Sequence, residues 1–248
     1  MSSSRVSSRL SPEQIEGYKR DGYTLFRQNV FAPAEFARLQ SLFEEDLARY
    51  GEADLDTIHF RDARLLEFLL SPAVLDVVEP LVGPNIGLWS SHFISKPAGV
   101  GKATPWHEDS AYWNGRISTM EGICTVWLAL DEVDAQNGAM QVIPGSHSNG
   151  FSNYVPAPKQ DNIFETQIDP QSLDLSRAVT FELSPNQCSL HEARIIHGAP
   201  ANRSNRRRAG YTMRYFPASS KLTPNRNQNH KIWLARGENV AGNRFENA

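Results

Sequence analysis

The 248-residue chain is 40% hydrophobic and 21% charged, and its formal net charge at pH 7 is −3. This balance excludes a general attraction to nucleic acid or to an anionic membrane, and no stretch of about eighteen apolar residues predicts a membrane span. We therefore expect a cytoplasmic protein with one domain over residues 11–248. Residues 1–10 are expected to be disordered, and they lack the apolar core of a secretion signal.

Helices dominate the predicted elements before residue 83. The first helix begins at Ser11-Pro12, an N-cap followed by proline at the first helical position, and it ends near Asp21-Gly22. Apolar spacing and strand-forming residues predict the other elements, which are a strand over 23–27 and helices over 33–50, 62–70 and 72–82. The helix over 33–50 is amphipathic and should pack on a sheet.

Strands dominate from residue 86 onward. Runs rich in β-branched and aromatic residues predict strands over 86–96, 122–130, 139–143, 179–182, 188–196 and 210–216. This order is typical of an α+β protein whose jelly-roll core, a cupin-like double-stranded β-helix, carries helices on one face. Residues 145–175 lack periodicity, so we expect a long surface excursion that acts as a lid.

Two smaller features concern the core. Cys124 and Cys188 each lie in a strand-like stretch, so they are expected to be buried, reduced thiols. In the polar tail, the tripeptide Ile232-Trp233-Leu234 is expected to dock on the body of the protein.

The most informative local motif is His107-Glu108-Asp109. Side chains alternate between faces in an extended segment, so His107 and Asp109 point the same way and Glu108 points away. A distant third ligand would complete two imidazoles and one carboxylate, the set that leaves three iron positions open in non-haem Fe(II) oxygenases. His197 is the candidate for that ligand. Alone, a His-X-Asp tripeptide occurs by chance in many chains.

Longer blocks surround these residues: FISKPAGVGKATPWHEDSAYW, ICTVWLALDEVDAQNGAMQVIPGSH and RIIHGAPANRSNRRRAGYTMRYFP. With EQIEGYKRDGYTLF and WLARGEN, they resemble the phytanoyl-CoA hydroxylase family of Fe(II)- and 2-oxoglutarate-dependent dioxygenases across nearly the whole chain. The resemblance implies Fe(II), 2-oxoglutarate and O2, with His107, Asp109 and His197 as catalytic iron ligands. It implies hydroxylation of an unactivated C–H bond of a small organic molecule, with release of succinate and CO2.

The resemblance also implies residues for the cosubstrate. Arg208 stands where the family places the arginine that grips the distal carboxylate of 2-oxoglutarate, and its planar guanidinium suits that task. Trp127 matches a family tryptophan near the cosubstrate, and His92 lies on a strand that contacts it; a core role is the alternative for both. Arg214 shares the strand face of Arg208, so it is expected to contact the cosubstrate, an anionic substrate group or a salt-bridge partner at the barrel rim.

Candidate substrate contacts are Trp113, Tyr112 and Lys96. If the extended conformation continues past Asp109, Trp113 shares the ligand face and lines the substrate pocket, while Trp106 packs behind it.

Several residues near the motifs receive other interpretations. His147 and His191 match structural positions and are not expected to bind the metal. Glu108 replaces a common family glutamine, and Ala199 replaces a serine that commonly follows the distal histidine by two. The remaining arginines of the basic run are interpreted as solvated charges: Arg203, Arg206 and Arg207.

Other reactions and other classes of protein stay open. Asp109 argues against halogenation, because the related halogenases have a small residue there. Desaturation, epoxidation and cyclisation use the same cofactor chemistry. A non-catalytic jelly-roll metal-binding protein and a cupin-like metalloenzyme without 2-oxoglutarate are the rivals, and Arg208 argues against both. The sequence indicates no oligomeric state.

Overall fold

The structure is a computed structural model that describes residues 9–158 and 163–248. Within these residues lie five α-helices: α1 (Pro12–Asp21), α2 (Pro33–Tyr50), α3 (Leu66–Leu69), α4 (Pro72–Val82) and α5 (Asp109–Trp113). Twelve strands accompany them: β1 (Tyr23–Phe26), β2 (Ile86–Lys96), β3 (Thr104–His107), β4 (Cys124–Ala129), β5 (Gln141–Val142), β6 (Tyr154–Pro156), β7 (Thr166–Ile168), β8 (Val179–Thr180), β9 (Cys188–Glu192), β10 (His197–Ala199), β11 (Arg208–Pro217) and β12 (Trp233–Arg236). The disorder predicted for residues 1–10 falls mostly on residues 1–8, outside the described part, and Leu10 is buried.

Antiparallel pairing builds two sheets that enclose a cavity. One sheet has six strands in the order β1-β9-β4-β11-β2-β12, and the other has four in the order β3-β10-β5-β8. Neighbouring strands come from distant parts of the chain, which is the predicted jelly-roll arrangement. β6 and β7 form a separate hairpin.

Helices α1 to α4 pack on the outer face of the six-stranded sheet, as predicted. On this face the ring of Phe93 stacks on Tyr211 with centroids 4.0 Å apart, and Phe43 of α2 lies 5.1 Å from Phe93. The preceding and following residues, His92 and Thr212, pair across β2 and β11 and turn towards the cavity. Because side chains alternate along a strand, these strands present an apolar face to the helices and a polar face to the cavity.

Two elements differ from the predictions in a way that matters for the cavity. β9 ends at Glu192 and not at 196, because the Glu192 carboxylate accepts the backbone N–H of Arg194 and forms a turn. The chain then enters the other sheet as β10, which carries His197. The helix predicted over 62–70 is a short 3-10 helix followed by α3.

Residues 145–175 lie between β5 and β8, and the described part of this excursion contains a hairpin that composition did not predict. The described part contains the hairpin of β6 and β7, in which Tyr154 lies opposite Ile168. Each of these strands has only three residues, too few for a pattern of alternation to be read from the sequence. The hydroxyl of Tyr154 accepts the backbone N–H of Glu108 at 3.0 Å, so the hairpin lies beside the candidate metal motif.

The cysteines and the tail lie as predicted. Cys124 and Cys188 are buried free thiols. Ile232 and Trp233 are buried, and β12 extends the six-stranded sheet by pairing with β2. Among the described residues, no helix has both the length and the apolar character needed to cross a membrane.

Candidate active site

Strand pairing brings the candidate metal ligands together. His107 at the end of β3 lies directly opposite His197 at the start of β10. Glu108 keeps an extended backbone, so Asp109 points to the same side as His107, and α5 then begins at Asp109. The extended conformation therefore does not continue to Trp113, so the condition on which its predicted placement depended is not met. The helix is closed by the N–H of Asn114, which donates to the carbonyl of Ser110 at 2.9 Å.

The three side chains form a group that suits a metal ion. One donor atom from each of His107, Asp109 and His197 lies within 4.8 Å of the others, and all three residues are buried. The Nδ1 of His107 bonds to the carbonyl of Pro105 at 2.8 Å, and the Nδ1 of His197 bonds to that of Ile195 at 3.0 Å. A carbonyl only accepts, so each Nδ1 carries the proton and each Nε2 keeps a lone pair for a metal.

The charges within the group also suit a divalent cation. Burial, together with the neighbouring His197, lowers the pKa of His107 to about 3, so its ring is neutral. Burial acts to raise the pKa of Asp109, but Arg214 and the surrounding histidines outweigh it, and the pKa lies below its ordinary value. A neutral imidazole and an ionised carboxylate are the protonation states that metal binding requires of these two ligands.

A cavity of about 500 Å³ opens beside these ligands and is lined by both sheets. Six of the other candidate site residues also line it: His92, Tyr112, Trp113, Trp127, Arg208 and Arg214. Lys96 does not. Its ammonium is turned away and donates to the backbone carbonyls of Lys102 at 2.6 Å and Pro200 at 2.9 Å, so the structure does not support a substrate contact.

Arg208 is a buried cation whose guanidinium is not paired with a carboxylate among the described residues. Its Nε and Nη2 donate to the carbonyl of Gly138 at 3.1 and 2.6 Å, and its guanidinium lies 5.1 Å from the Trp127 ring centroid. Among the described residues no carboxylate pairs with it, and burial lowers its pKa to about 10. A buried guanidinium of this kind is matched to a carboxylate ligand entering the cavity.

Trp127 packs over Gly210 of β11, where a side chain would not fit. A Cβ on Gly210 would lie 2.2 Å from Cζ2 of Trp127.

We expect Gly210→Ala to destabilise the protein by about 1–3 kcal/mol, because it overpacks a filled site. Urea unfolding measures this, with Gly17→Ala as the control. Gly17 lies in α1 with no atom within 4 Å of a new Cβ, so alanine there should stabilise by about 0.5–1 kcal/mol. Unchanged stability in Gly210→Ala would contradict the packing described.

Arg214 contacts an iron-ligand candidate. Its Nε lies 3.5 Å from Oδ2 of Asp109, and its guanidinium lies 5.5 Å from the Trp113 ring centroid. Of the alternatives for Arg214, the structure shows a salt bridge, and its partner is the metal-ligand candidate Asp109. His92 lines the cavity with Nδ1 3.7 Å from Oδ1 of Asp56. Tyr112 is half exposed, and its ring centroid lies 6.1 Å from that of His107.

Glu108 points away from the metal group and anchors the hairpin. Its carboxylate accepts a hydrogen bond from the hydroxyl of Ser152, and its backbone N–H donates to Tyr154. Phe164, from the same segment, lies over the cavity with its ring centroid 5.0 Å from His107. The segment therefore covers part of the cavity, and its movement as a lid stays a prediction.

Sequence reasoning missed several cavity residues. Thr125 stands two residues before Trp127 on β4, so strand alternation would have found it. His191, interpreted from the sequence as structural, also lines the cavity, and its Nε2 lies 3.9 Å from Oδ2 of Asp109. Trp89 is the extra residue of a β-bulge between Leu88 and Ser90, which turns it towards the cavity, and no sequence pattern indicates that bulge. Loops contribute further missed residues: Asp56, Arg116, Ile163, Phe164 and His230. Phe60, at the end of a short 3-10 helix, is another. His147 lies outside the cavity lining.

A jelly-roll with a buried group of two histidines and one aspartate defines the class of non-haem iron oxygenases. Comparison with known proteins then gives the family. The family model described as Phytanoyl-CoA dioxygenase (PhyH) matches residues 18–210, and the chain belongs to this family. It is an oxidoreductase that uses Fe(II) and 2-oxoglutarate, with His107, Asp109 and His197 as its iron-binding triad.

Individual relatives agree with this membership. A probable phytanoyl-CoA dioxygenase of Caenorhabditis elegans is 26% identical over 242 residues, 85% of this chain and 77% of the relative. The peroxisomal phytanoyl-CoA dioxygenase of Mus musculus is 38% identical over 147 residues, 57% of this chain and 43% of that enzyme.

Solved structures share the fold. The non-heme monooxygenase ThoJ in its apo form has a TM-score of 0.77 at 25% identity, covering 94% of this chain and 87% of ThoJ. EctD from S. alaskensis with 2-oxoglutarate and 5-hydroxyectoine has a TM-score of 0.71 at 22% identity, covering 90% of this chain and 81% of EctD.

Proposed function

We propose that the protein hydroxylates an unactivated C–H bond of a small organic molecule and consumes 2-oxoglutarate. The observation that carries this proposal is the placement of the buried triad and the buried Arg208 guanidinium in one cavity. Bound Fe(II) would supply the activation of dioxygen, coupled to oxidation of 2-oxoglutarate to succinate and CO2.

The chain's own residues divide the work. His107 and His197 would hold the metal through Nε2, and Asp109 through one oxygen. Arg208 would bind the distal carboxylate of 2-oxoglutarate, held in place by the carbonyl of Gly138. Asp109 fills the position that a halide would need, so oxygen insertion is favoured over halogenation.

The other end of the cavity fits the hydrocarbon part of a substrate. Tyr112, Trp113 and Phe164 contribute rings to the cavity lining, as do Phe60 and Trp89, which both lie against His230. These rings exclude water from the reacting centre, which protects a reactive site from side reactions. A second cation, Arg116, lies 4.7 Å from the Trp89 ring centroid at this end.

Anaerobic titration tests the proposal. Adding Fe(II) and then 2-oxoglutarate should produce the weak visible charge-transfer band of the metal chelate. Admitting O2 should then release succinate, and a true substrate from a metabolite panel should raise its rate. Absence of both the band and 2-oxoglutarate turnover with every compound would favour the non-catalytic metal-binding alternative.

The cytoplasmic location and the absence of nucleic-acid partners remain predictions from composition and from the two free thiols. Fractionation of source cells would test the location.

A further inference from the structure

One row of residues across the six-stranded sheet surrounds the carboxylate of the metal group. Thr125 of β4 lies directly opposite His191 of β9 on one side and opposite Arg214 of β11 on the other. Directly opposite residues of antiparallel strands point to the same face, so all three side chains enter the cavity together.

The three side chains approach the same oxygen of Asp109. The hydroxyl of Thr125 donates to Oδ2 at 3.0 Å, Nε of Arg214 lies 3.5 Å from Oδ2, and Nε2 of His191 lies 3.9 Å from it. The other oxygen, Oδ1, faces His107, whose Nε2 is 4.0 Å away. Donors therefore crowd one oxygen and leave the other to the metal.

His191 is the member of this row whose burial no hydrogen bond explains. It is 1% exposed, and neither ring nitrogen has a hydrogen-bond partner among the described residues. Buried polar groups without partners are rare, and each calls for a reason such as a role in a ligand site. At 3.9 Å its Nε2 is about 1 Å too far from Oδ2 for a hydrogen bond, a gap that small side-chain shifts close.

We propose that His191, Thr125 and Arg214 form a positioning row that holds Oδ2 of Asp109 by hydrogen bonds and keeps this carboxylate a one-oxygen ligand of the metal. His191 completes the row when the metal is bound. A carboxylate that bound through both oxygens would occupy one of the three positions that the facial arrangement leaves for reactants. The inference rests on the proposed function, because it concerns the ligand geometry that this chemistry requires.

Co(II) binding under anaerobic conditions tests the row, with the visible spectrum of bound Co(II) as a readout of ligand geometry. His191→Leu removes both nitrogens, and we expect the dissociation constant to rise by about 10–100-fold, as for other outer-shell changes at metal sites. The spectrum of the saturated variant should differ from wild type. His191→Gln can donate from a comparable position and should recover most of the affinity.

The controls separate positioning from packing. Ser189 lies on the same face of β9, with a buried hydroxyl that also has no partner among the described residues and is not part of the cavity lining. Ser189→Ala should leave the Co(II) affinity within about twofold of wild type. The melting temperature of metal-free His191→Leu should not fall, because the substitution removes a buried group that forms no hydrogen bond.

Four results would overturn the proposal or its basis. The first is a His191→Leu variant with wild-type Co(II) affinity and spectrum. The second is a fall of more than about 5 °C in the melting temperature of His191→Leu, together with a His191→Gln variant that does not recover Co(II) binding. If His191→Leu does not fold, Thr125→Val decides: weaker binding supports the row, and wild-type binding overturns it. Failure of the wild type to bind Co(II) would instead contradict the metal site and the proposed function.

Discussion

His107→Ala is expected to lower the affinity for Fe(II) by more than about 100-fold and to abolish the charge-transfer band with 2-oxoglutarate. It removes one of three ligands, so the loss should exceed the 10–100-fold typical of outer-shell changes. The bond from Nδ1 of His107 to the carbonyl of Pro105 fixes the ring, so the wild-type ligand is held in place before the metal binds. Anaerobic metal titration measures the affinity, and succinate release measures the coupled loss of turnover.

His230→Gln is the matched control for this substitution. His230 also lines the cavity, but its Nε2 lies 2.8 Å from the carbonyl of Trp89, away from the triad. Its replacement should leave the Fe(II) affinity within about threefold of wild type. An equal loss in both variants would indicate general disruption of the cavity, and retained metal binding by His107→Ala would show that the triad is misassigned.

Arg208→Ala is expected to weaken 2-oxoglutarate binding by about 10²–10⁴-fold and to change Fe(II) binding little. Removing one partner of a buried charge pair costs about 3–5 kcal/mol, and each 1.4 kcal/mol is about tenfold in affinity. The guanidinium contacts Gly138 and Trp127, and none of the triad residues is among its hydrogen-bond partners. Titration of the charge-transfer band with 2-oxoglutarate gives the affinity directly.

Arg207→Ala provides the control in the neighbouring residue. The Arg207 guanidinium bonds to Asp131 at 2.8 Å and to Glu44 at 2.7 Å, on the helix side of the sheet. The Arg207→Ala variant loses both ion pairs, which are worth about 0–1 kcal/mol of stability each. Its affinity for 2-oxoglutarate should equal that of the wild type. Similar weakening in both variants would mean that total positive charge matters and not the position of Arg208. Equal loss of iron and 2-oxoglutarate in Arg208→Ala would mean that its role is misassigned.

The alternation of strand residues could be predicted because it depends only on the local backbone. On β11, Arg208, Thr212 and Arg214 enter the cavity while Tyr211 faces the helices, as a period of two requires. Trp113 also reaches the cavity, but for a reason that the sequence does not contain, since it lies on α5 and not on an extended strand.

Lys96 shows the limit of the same argument. It lies opposite Arg208 in the ladder and so starts on the cavity face, yet its ammonium is held by carbonyls from two loops. Lys102 follows Lys96 by 6 residues and Pro200 follows it by 104, so the approach of both carbonyls to one ammonium is a property of the packed chain. Glu108 is similar, because its role in holding the hairpin depends on Ser152 and Tyr154.

The sequence by itself determined the chemical types of the metal ligands, the arginine that matches the cosubstrate and the faces on which strand residues lie. The ligand types and the strand faces follow from motif composition and from the two-residue repeat of an extended chain, and the arginine follows from the resemblance to the family. Only the tertiary structure decided which oxygen of Asp109 is surrounded by donors. That arrangement needs β9, β4 and β11 to pair in one register, and the pairing of strands separated by tens of residues is fixed by the packing of the whole sheet.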